Sequence, residues 1–220
     1  MLEKIGIFSA LSRVEAKSIE PFFRQERRKR KDVIFSEGDP SQWFYIVLEG
    51  KVKITKLSQE GKEIILEMMG PGEVFGGIAV IRGLPYPANA LAMDDCLLLK
   101  TSKEDLMRIL ERFPAVTMAI FQDLGGRLQH SHESMKQIAL DKVMARVASL
   151  LVKLAGKSGR QTPEGTLIEL RLTKQEIADM VGTTVETSIR TMSRLKKDGI
   201  VSEKDGSILV RDMKRLKELA

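Results

Sequence analysis

In the first hundred positions, apolar residues come in short runs broken by turn formers. Val33-Ile34-Phe35, Trp43 to Leu48, Val52-Lys53-Ile54-Thr55, Glu63 to Met69 and Cys96 to Leu99 are β-type stretches. Gly38-Asp39-Pro40, Glu49-Gly50, Glu60-Gly61, Gly70-Pro71-Gly72, Gly83 and Pro85/Pro87 punctuate them. Runs of this length, with no helical period between them, predict a small antiparallel barrel or jelly roll. Cys96, among Leu97-Leu98-Leu99, is expected to be a core residue. The run Arg27-Arg28-Lys29-Arg30-Lys31 is expected to be a solvated approach to the first strands.

After Ser102 the period changes. Ser102 is a candidate N-cap, with Asp105 three residues on, and Pro114 restarts a longer helix. Phe121, Leu124, Leu128, Ser131, Met135 and Ile138 are spaced 3, 4, 3, 4, 3, an a/d seam of about three heptads. Such a seam pairs with a copy of itself or is buried against its own domain. Gly125-Gly126 within it marks a hinge or a close approach, and weakens the helix by roughly 1 kcal/mol per glycine. Asp141 to Ala155 forms a further amphipathic helix, followed by a polar stretch from Gly156 to Gly165 and a strand from Leu167 to Leu172.

The sharpest local signal is Leu172-Thr173-Lys174-Gln175-Glu176-Ile177. Thr173 and Glu176 make a capping box, with Leu172 and Ile177 as its hydrophobic staple. This helix turns Ile177, Ala178 and Val181 inward and stops at Gly182; a second runs from Thr184 to about Asp198. The spacing predicts that the second buries Val185, Ile189, Met192 and Leu195 and shows Glu186, Arg190, Arg194 and Lys197 outward. Two helices about a short glycine-containing turn form a helix-turn-helix. Arginine forks onto guanine O6 and N7, and glutamate accepts from cytosine N4. The competing readings of Glu186 are an i,i+4 ion pair with Arg190, or a capping-box role with Thr183 as N-cap. Asp205-Gly206 between two short apolar strands predicts a hairpin, hence a winged helix-turn-helix.

Charge placement agrees. Residues 141–220 hold 16 Lys/Arg against 11 Asp/Glu, and residues 1–140 hold 20 against 19. The last third therefore carries nearly all of a net charge of +6, as a nucleic-acid-binding domain would, although a basic domain without such a partner has the same balance. At 220 residues the chain supports a core without disulfide or metal. Its longest apolar run, Trp43 to Leu48, is far short of a membrane span, and Met1 to Gly6 lacks the apolar core of a secretory signal. A cytoplasmic protein with no membrane partner is expected. One cysteine excludes an internal disulfide, a Cys₄ zinc site and a four-cysteine iron–sulfur cluster, and no metal site is expected.

Taken together, the chain resembles the CRP/FNR family of bacterial transcription regulators across nearly its whole length. Ile34 to Asp39 and Tyr45 to Lys53 resemble the opening of that family's cyclic-nucleotide-binding-type roll, and Leu172 to Leu195 resembles its DNA-reading motif. The implied fold is α+β. An antiparallel, jelly-roll-like β-roll over 1–112 forms an effector domain, a dimerisation helix spans 113–140, and a winged helix-turn-helix occupies 141–220. The resemblance implies a homodimer on palindromic double-stranded DNA, with RNA polymerase as a partner, acting as an activator. It places Glu186 and Arg190 on bases, and Thr173, Gln175, Thr184 and Thr187 on phosphates, with Ser188 in the same set. Val185 resembles the valine of FNR-like members, which implies an FNR-like half-site.

The same resemblance puts an effector pocket at Gly76, Gly77, Ile78, Ala88 and Asn89, with Ser131 and His132 on the dimer helix. Here the residues depart from the pattern of cyclic-AMP-binding members. Gly77 replaces the ribose-binding glutamate, Pro87 the phosphate-binding arginine, and Ala88 the serine after it. A phosphate without its arginine loses a bidentate, charge-assisted partner, so cyclic AMP is not the expected effector. Haem, with His132 as ligand, is one candidate; an exposed histidine with no ligand role is the other. A regulator active without any ligand, its pocket filled by its own side chains, is a further reading. A sequence-indifferent, chromatin-organising binder would also be basic. An enzyme acting on nucleic acid is disfavoured, since no P-loop, two-metal acidic cluster or Ser/His/Asp set is visible.

Overall fold

Ser12 opens the first α-helix with a reciprocal cap: the Glu15 amide donates to Ser12 Oγ, and the Ser12 amide donates to Glu15 Oε2. This helix, α1 (Arg13–Ile19), lies between two short 3-10 turns, Gly6–Phe8 and Glu20–Phe22. The computed structural model describes the chain except residues 1, 3, 4, 141 and 205 and the side chains of 130, 134 and 137–140. It contains two compact units, Met1–Gln129 and His130–Ala220.

In the first unit the strands are β1 (Arg24–Arg28), β2 (Val33–Phe35), β3 (Trp43–Glu49), β4 (Val52–Leu57), β5 (Glu63–Met69) and β6 (Val74–Phe75). Helix α2 (Gly77–Arg82), β7 (Asn89–Ala92) and β8 (Cys96–Ser102) complete the roll. The strands form two four-stranded antiparallel sheets, ordered β1-β8-β3-β6 and β2-β7-β4-β5. Their inner faces and α1 bury Phe8, Ile19, Phe44, Ile46, Val47 and Leu98. Cys96 belongs to this core: its thiol donates to the Lys51 and Asp94 carbonyls, and burial raises its pKa, as expected of an inert residue.

Two features differ from expectation here. Helices α1 and α2 interrupt a region whose pattern reads as strands alone. The basic run is solvated at Lys29, Arg30 and Lys31, but its first two residues, Arg27 and Arg28, belong to β1, an edge strand paired with β8. Within it Glu26 holds Arg28, at 2.5 Å, and Lys100, so the like charges are partly compensated.

Helix α3 (Lys103–Arg112) starts at Ser102, whose Oγ accepts from the Asp105 amide. It leads to α4 (Pro114–Leu140), and the division between the compact units falls inside α4, at Gln129/His130. The second unit continues with α5 (Val143–Ser158), β9 (Gly159–Thr162), β10 (Gly165–Ile168), α6 (Lys174–Val181), α7 (Val185–Lys197), β11 (Val201–Lys204), β12 (Ser207–Val210) and α8 (Met213–Leu219). The polar stretch after α5 thus holds a strand of its own, and the next strand ends at Ile168, four residues short of Leu172. One antiparallel sheet runs β11-β12-β10-β9. Val147, Leu151 and Leu154 of α5 share the core with Ile177, Met192, Leu195 and Leu216.

Candidate nucleic-acid interface and effector pocket

Thr173 and Glu176 form the expected reciprocal cap, at 2.7 and 3.1 Å, and Gly182 ends α6 in the left-handed conformation, φ 64°. A contact with no local signal secures the turn. Arg146 of α5 donates from Nε to the Val181 carbonyl, at 2.9 Å, and from Nη2 to that of Gly182, at 3.3 Å. It satisfies carbonyls that the end of a helix leaves open.

Thr184 is the N-cap of α7, its hydroxyl accepting from the Thr187 amide. The alternative with Thr183 as cap is thereby excluded, and Glu186 is free of a capping-box role. No ion pair joins Glu186 to Arg190 among the described residues. Glu186's own backbone amide and the Thr184 hydroxyl hold its carboxylate below the ordinary range. Both Glu186 and Arg190 are exposed, as are Thr173, Gln175, Thr184, Arg194 and Lys197, while Val185 and Thr187 are half-buried. Gln175 donates to Asp179 Oδ1 at 2.7 Å, and Arg194 lies a loose 3.9 Å from Asp198.

Two residues change places with respect to expectation. Ser188, expected among the DNA contacts, is fully buried in the free chain, and Ile189, expected in the core, is 45% exposed. The inward stripe of α7 is Ser188, Thr191, Met192 and Leu195, spaced 3, 1 and 3, which is a helical face. Ile189 stands one residue off it.

Around the wing, cations are already paired. Glu203 on β11 accepts from Lys174 and, at 2.7 Å, from Lys196, which hold its carboxyl down to about 2; Lys204 meets Glu164 at 3.4 Å. Asp205 of the hairpin turn lies outside the described residues.

Along α4, Phe121, Leu128 and Met135 are 63%, 59% and 57% exposed, and Leu124 is half-buried. Burial of the seam against its own domain therefore fails for these three; the Ile138 side chain lies outside the described residues. A β-carbon at Gly125 or Gly126 would meet nothing within 4 Å, so no close packing inside the chain requires either glycine. Ser131 and His132 are exposed, and no group of three metal-ligating side chains occurs among the described residues. Arg127, unmarked by the sequence, anchors the helix to the roll through Glu67 (3.2 Å) and the Val74 carbonyl (2.6 Å), and is held within α4 by Asp123 (2.8 Å).

Of the expected pocket residues, Gly77, Ala88 and Asn89 are packed against or bonded to the protein's own groups. Gly76 opens α2 at φ 79°, and Gly77 faces the ring of Phe44. Tyr86 stacks on Phe35 with centroids 3.7 Å apart, and its hydroxyl donates to the Trp43 carbonyl at 2.7 Å. Tyr45 and Phe75 stack at 5.1 Å in the same interior. Asn89 accepts from the Glu37 amide and donates to the Thr55 carbonyl; Ala88 is buried, whereas Ile78 is exposed. A groove of about 750 Å³ lies elsewhere, lined by Ile7, Pro71, Val74, Met118, Ala119 and Gln122, and it includes none of the expected pocket residues.

Comparison with known proteins agrees with both units. Residues 25–113 match the cyclic nucleotide-binding domain, and residues 145–219 match the Crp-like helix-turn-helix domain. The cyclic AMP receptor protein of Thermus thermophilus is 29% identical over 97% of this chain and 96% of its own length. A CRP-like cAMP-activated global transcriptional regulator of Mycobacterium tuberculosis is 27% identical over 98% and 96%. A variant of CooA from Carboxydothermus hydrogenoformans superposes with a TM-score of 0.79 at 26% identity, covering 97% of this chain and 94% of that one. With both domain types matched in order and relatives aligned nearly end to end, the chain belongs to the CRP/FNR family of transcription regulators, non-enzymatic proteins that bind DNA through a helix-turn-helix domain.

Proposed function

We propose that the protein acts as a homodimer on a two-fold palindrome, recruits or hinders RNA polymerase there, and answers to an effector other than cyclic AMP. The observation that carries DNA reading is the exposed Glu186 and Arg190 near the N-terminus of α7, unpaired with one another, where recognition helices meet base edges. Thr173, Gln175, Thr184 and Thr187 flank them as phosphate contacts, Val185 borders the bases, and Arg194 and Lys197 extend the basic face. The exposed Phe121, Leu128 and Met135, one heptad apart, support pairing of α4 with a second copy. Selection of duplexes from a random pool by the full-length protein tests the whole reading. A palindrome with half-sites about one helical turn apart, ~34 Å, is expected. Binding of selected DNA no tighter than of random DNA would leave a sequence-indifferent binder.

A second reading, a regulator that needs no ligand, is favoured by the Tyr86–Phe35 stack and the engaged amide of Asn89. It predicts full affinity for the selected site after exhaustive dialysis, unchanged by a deproteinised small-molecule extract. A gain on adding the extract would return the roll to its effector role.

A further inference from the structure

Ile189 is an aliphatic side chain on the outer surface of a helix whose other outward residues are Glu186, Arg190, Ser193, Arg194 and Lys197. Singly exposed apolar residues are ordinary on a protein surface. This one differs in its place. It lies three residues after Glu186, one before Arg190 and four before Ser193, all exposed, and the core of the unit is served without it by Ser188, Thr191, Met192 and Leu195.

In the major groove only thymine presents a methyl group, and it is recognised by apolar contact; the other bases offer donors and acceptors at those positions. Isoleucine can satisfy none of those polar groups, so burying them against it is unfavourable, whereas a 5-methyl gains by the same burial. Its β-branched side chain holds one χ1 rotamer in a helix, which fixes where its methyl groups stand relative to Glu186 and Arg190. We propose that Ile189 is a specificity-determining residue that reads one thymine in each half-site through its 5-methyl group. The proposal rests on the reading of α7 as the helix that faces DNA.

The test uses the full-length protein and its selected palindrome. Each thymine is replaced in turn, in both half-sites, by deoxyuridine, which lacks only the methyl group. Affinity is measured at fixed salt for wild type, Ile189→Ala and Ile189→Val, with thermal melts to verify that the variants fold. One position is expected where deoxyuridine weakens wild type by about fourfold per half-site, the worth of one buried methyl group. Ile189→Ala should be indifferent to that replacement, and Ile189→Val should fall between. Equal thymine-to-deoxyuridine ratios for wild type and Ile189→Ala at every position overturn the methyl contact. If Arg190→Ala loses sequence preference in the same assay, the DNA reading of α7 survives that result. Failure to select any sequence overturns both.

Discussion

The ring of Phe44 lies against Gly77, where a β-carbon would stand 2.7 Å from Phe44 Cδ2 and 3.0 Å from Cε2. Phe44 is buried in the core of the roll, on a strand paired along its length with β8, so it has little room to withdraw. A side chain at the position that carries the ribose-binding glutamate in the cyclic-AMP pattern would therefore have to displace the Phe44 ring. Calorimetric titration of cyclic AMP should give no detectable heat at two temperatures. Gly77→Glu should cost about 1–3 kcal/mol through overpacking and confer no binding; micromolar affinity in either protein would show that the roll accepts the nucleotide by another set of contacts.

Arg190→Ala should weaken binding to the selected site by about 1–3 kcal/mol and relax the preference at one base pair per half-site. Competition against single-base variants reads this directly. A uniform loss on every sequence would place the guanidinium on phosphate alone.

Leu128→Glu should break the dimer, since pairing of α4 would bury an unmatched charge. The residue is already 59% exposed in the single chain, so the monomer itself has no reason to unfold. Sedimentation of a dimer with unchanged mass would move the interface away from the seam.

Ser188 is buried, and its Oγ has no hydrogen-bond partner among the described residues. Ser188→Ala should leave DNA affinity intact and stabilise the protein by up to about 1 kcal/mol, because an unsatisfied buried hydroxyl is removed. Lost affinity at an unchanged melting temperature would mean that the hydroxyl reaches DNA after all.

Glu203 titrates at about 2 in the folded chain against an ordinary 4.5, held down by Lys174 and then Lys196. A value lowered by folding stabilises the fold in full above about pH 4.5, and that contribution is lost as the pH falls toward 2. All three side chains are about a third exposed or more, so water and salt reduce the gain. Glu203→Gln should lower the melting temperature at neutral pH and low salt, with the difference closing between pH 4.5 and 2. A difference independent of pH would trace to packing instead of charge.

Local chemistry was the most legible part of this chain. The capping box of Thr173 and Glu176, the glycine stop at Gly182 and the run from Trp43 all rest on neighbours within a few residues, and the structure shows each of them. Periodicity failed in α7 for a definite reason. Its inward stripe includes Ser188 and Thr191, small hydroxyl residues that a hydrophobic pattern scores as outward, and Ile189 then fills the gap by apparent spacing. Of the candidate site, the outward placement of Glu186 and Arg190 could be read, but the exposure of Ile189 could not. The cross-links made by Arg146 and Arg127 were invisible because the groups they reach lie 35 or more and more than 50 residues away, whereas the Arg127–Asp123 pair within α4 is local.

The paired lysines of α6, α7 and β11 have a consequence for how the domain meets a polyanion. Duplex binding releases condensed counterions in proportion to the phosphates newly neutralised, with a logarithmic slope of about −0.9 for each. Lys174, Lys196 and Lys204 are already neutralised by Glu203 and Glu164, and they displace no counterions while those carboxylates stay in place. The ionic-strength dependence of the proposed duplex contact then falls to cations outside these pairs, such as Arg190 and Lys197. It should be shallower than the excess of 16 basic over 11 acidic residues in the last part of the chain would give, and grip on the operator should persist as salt rises.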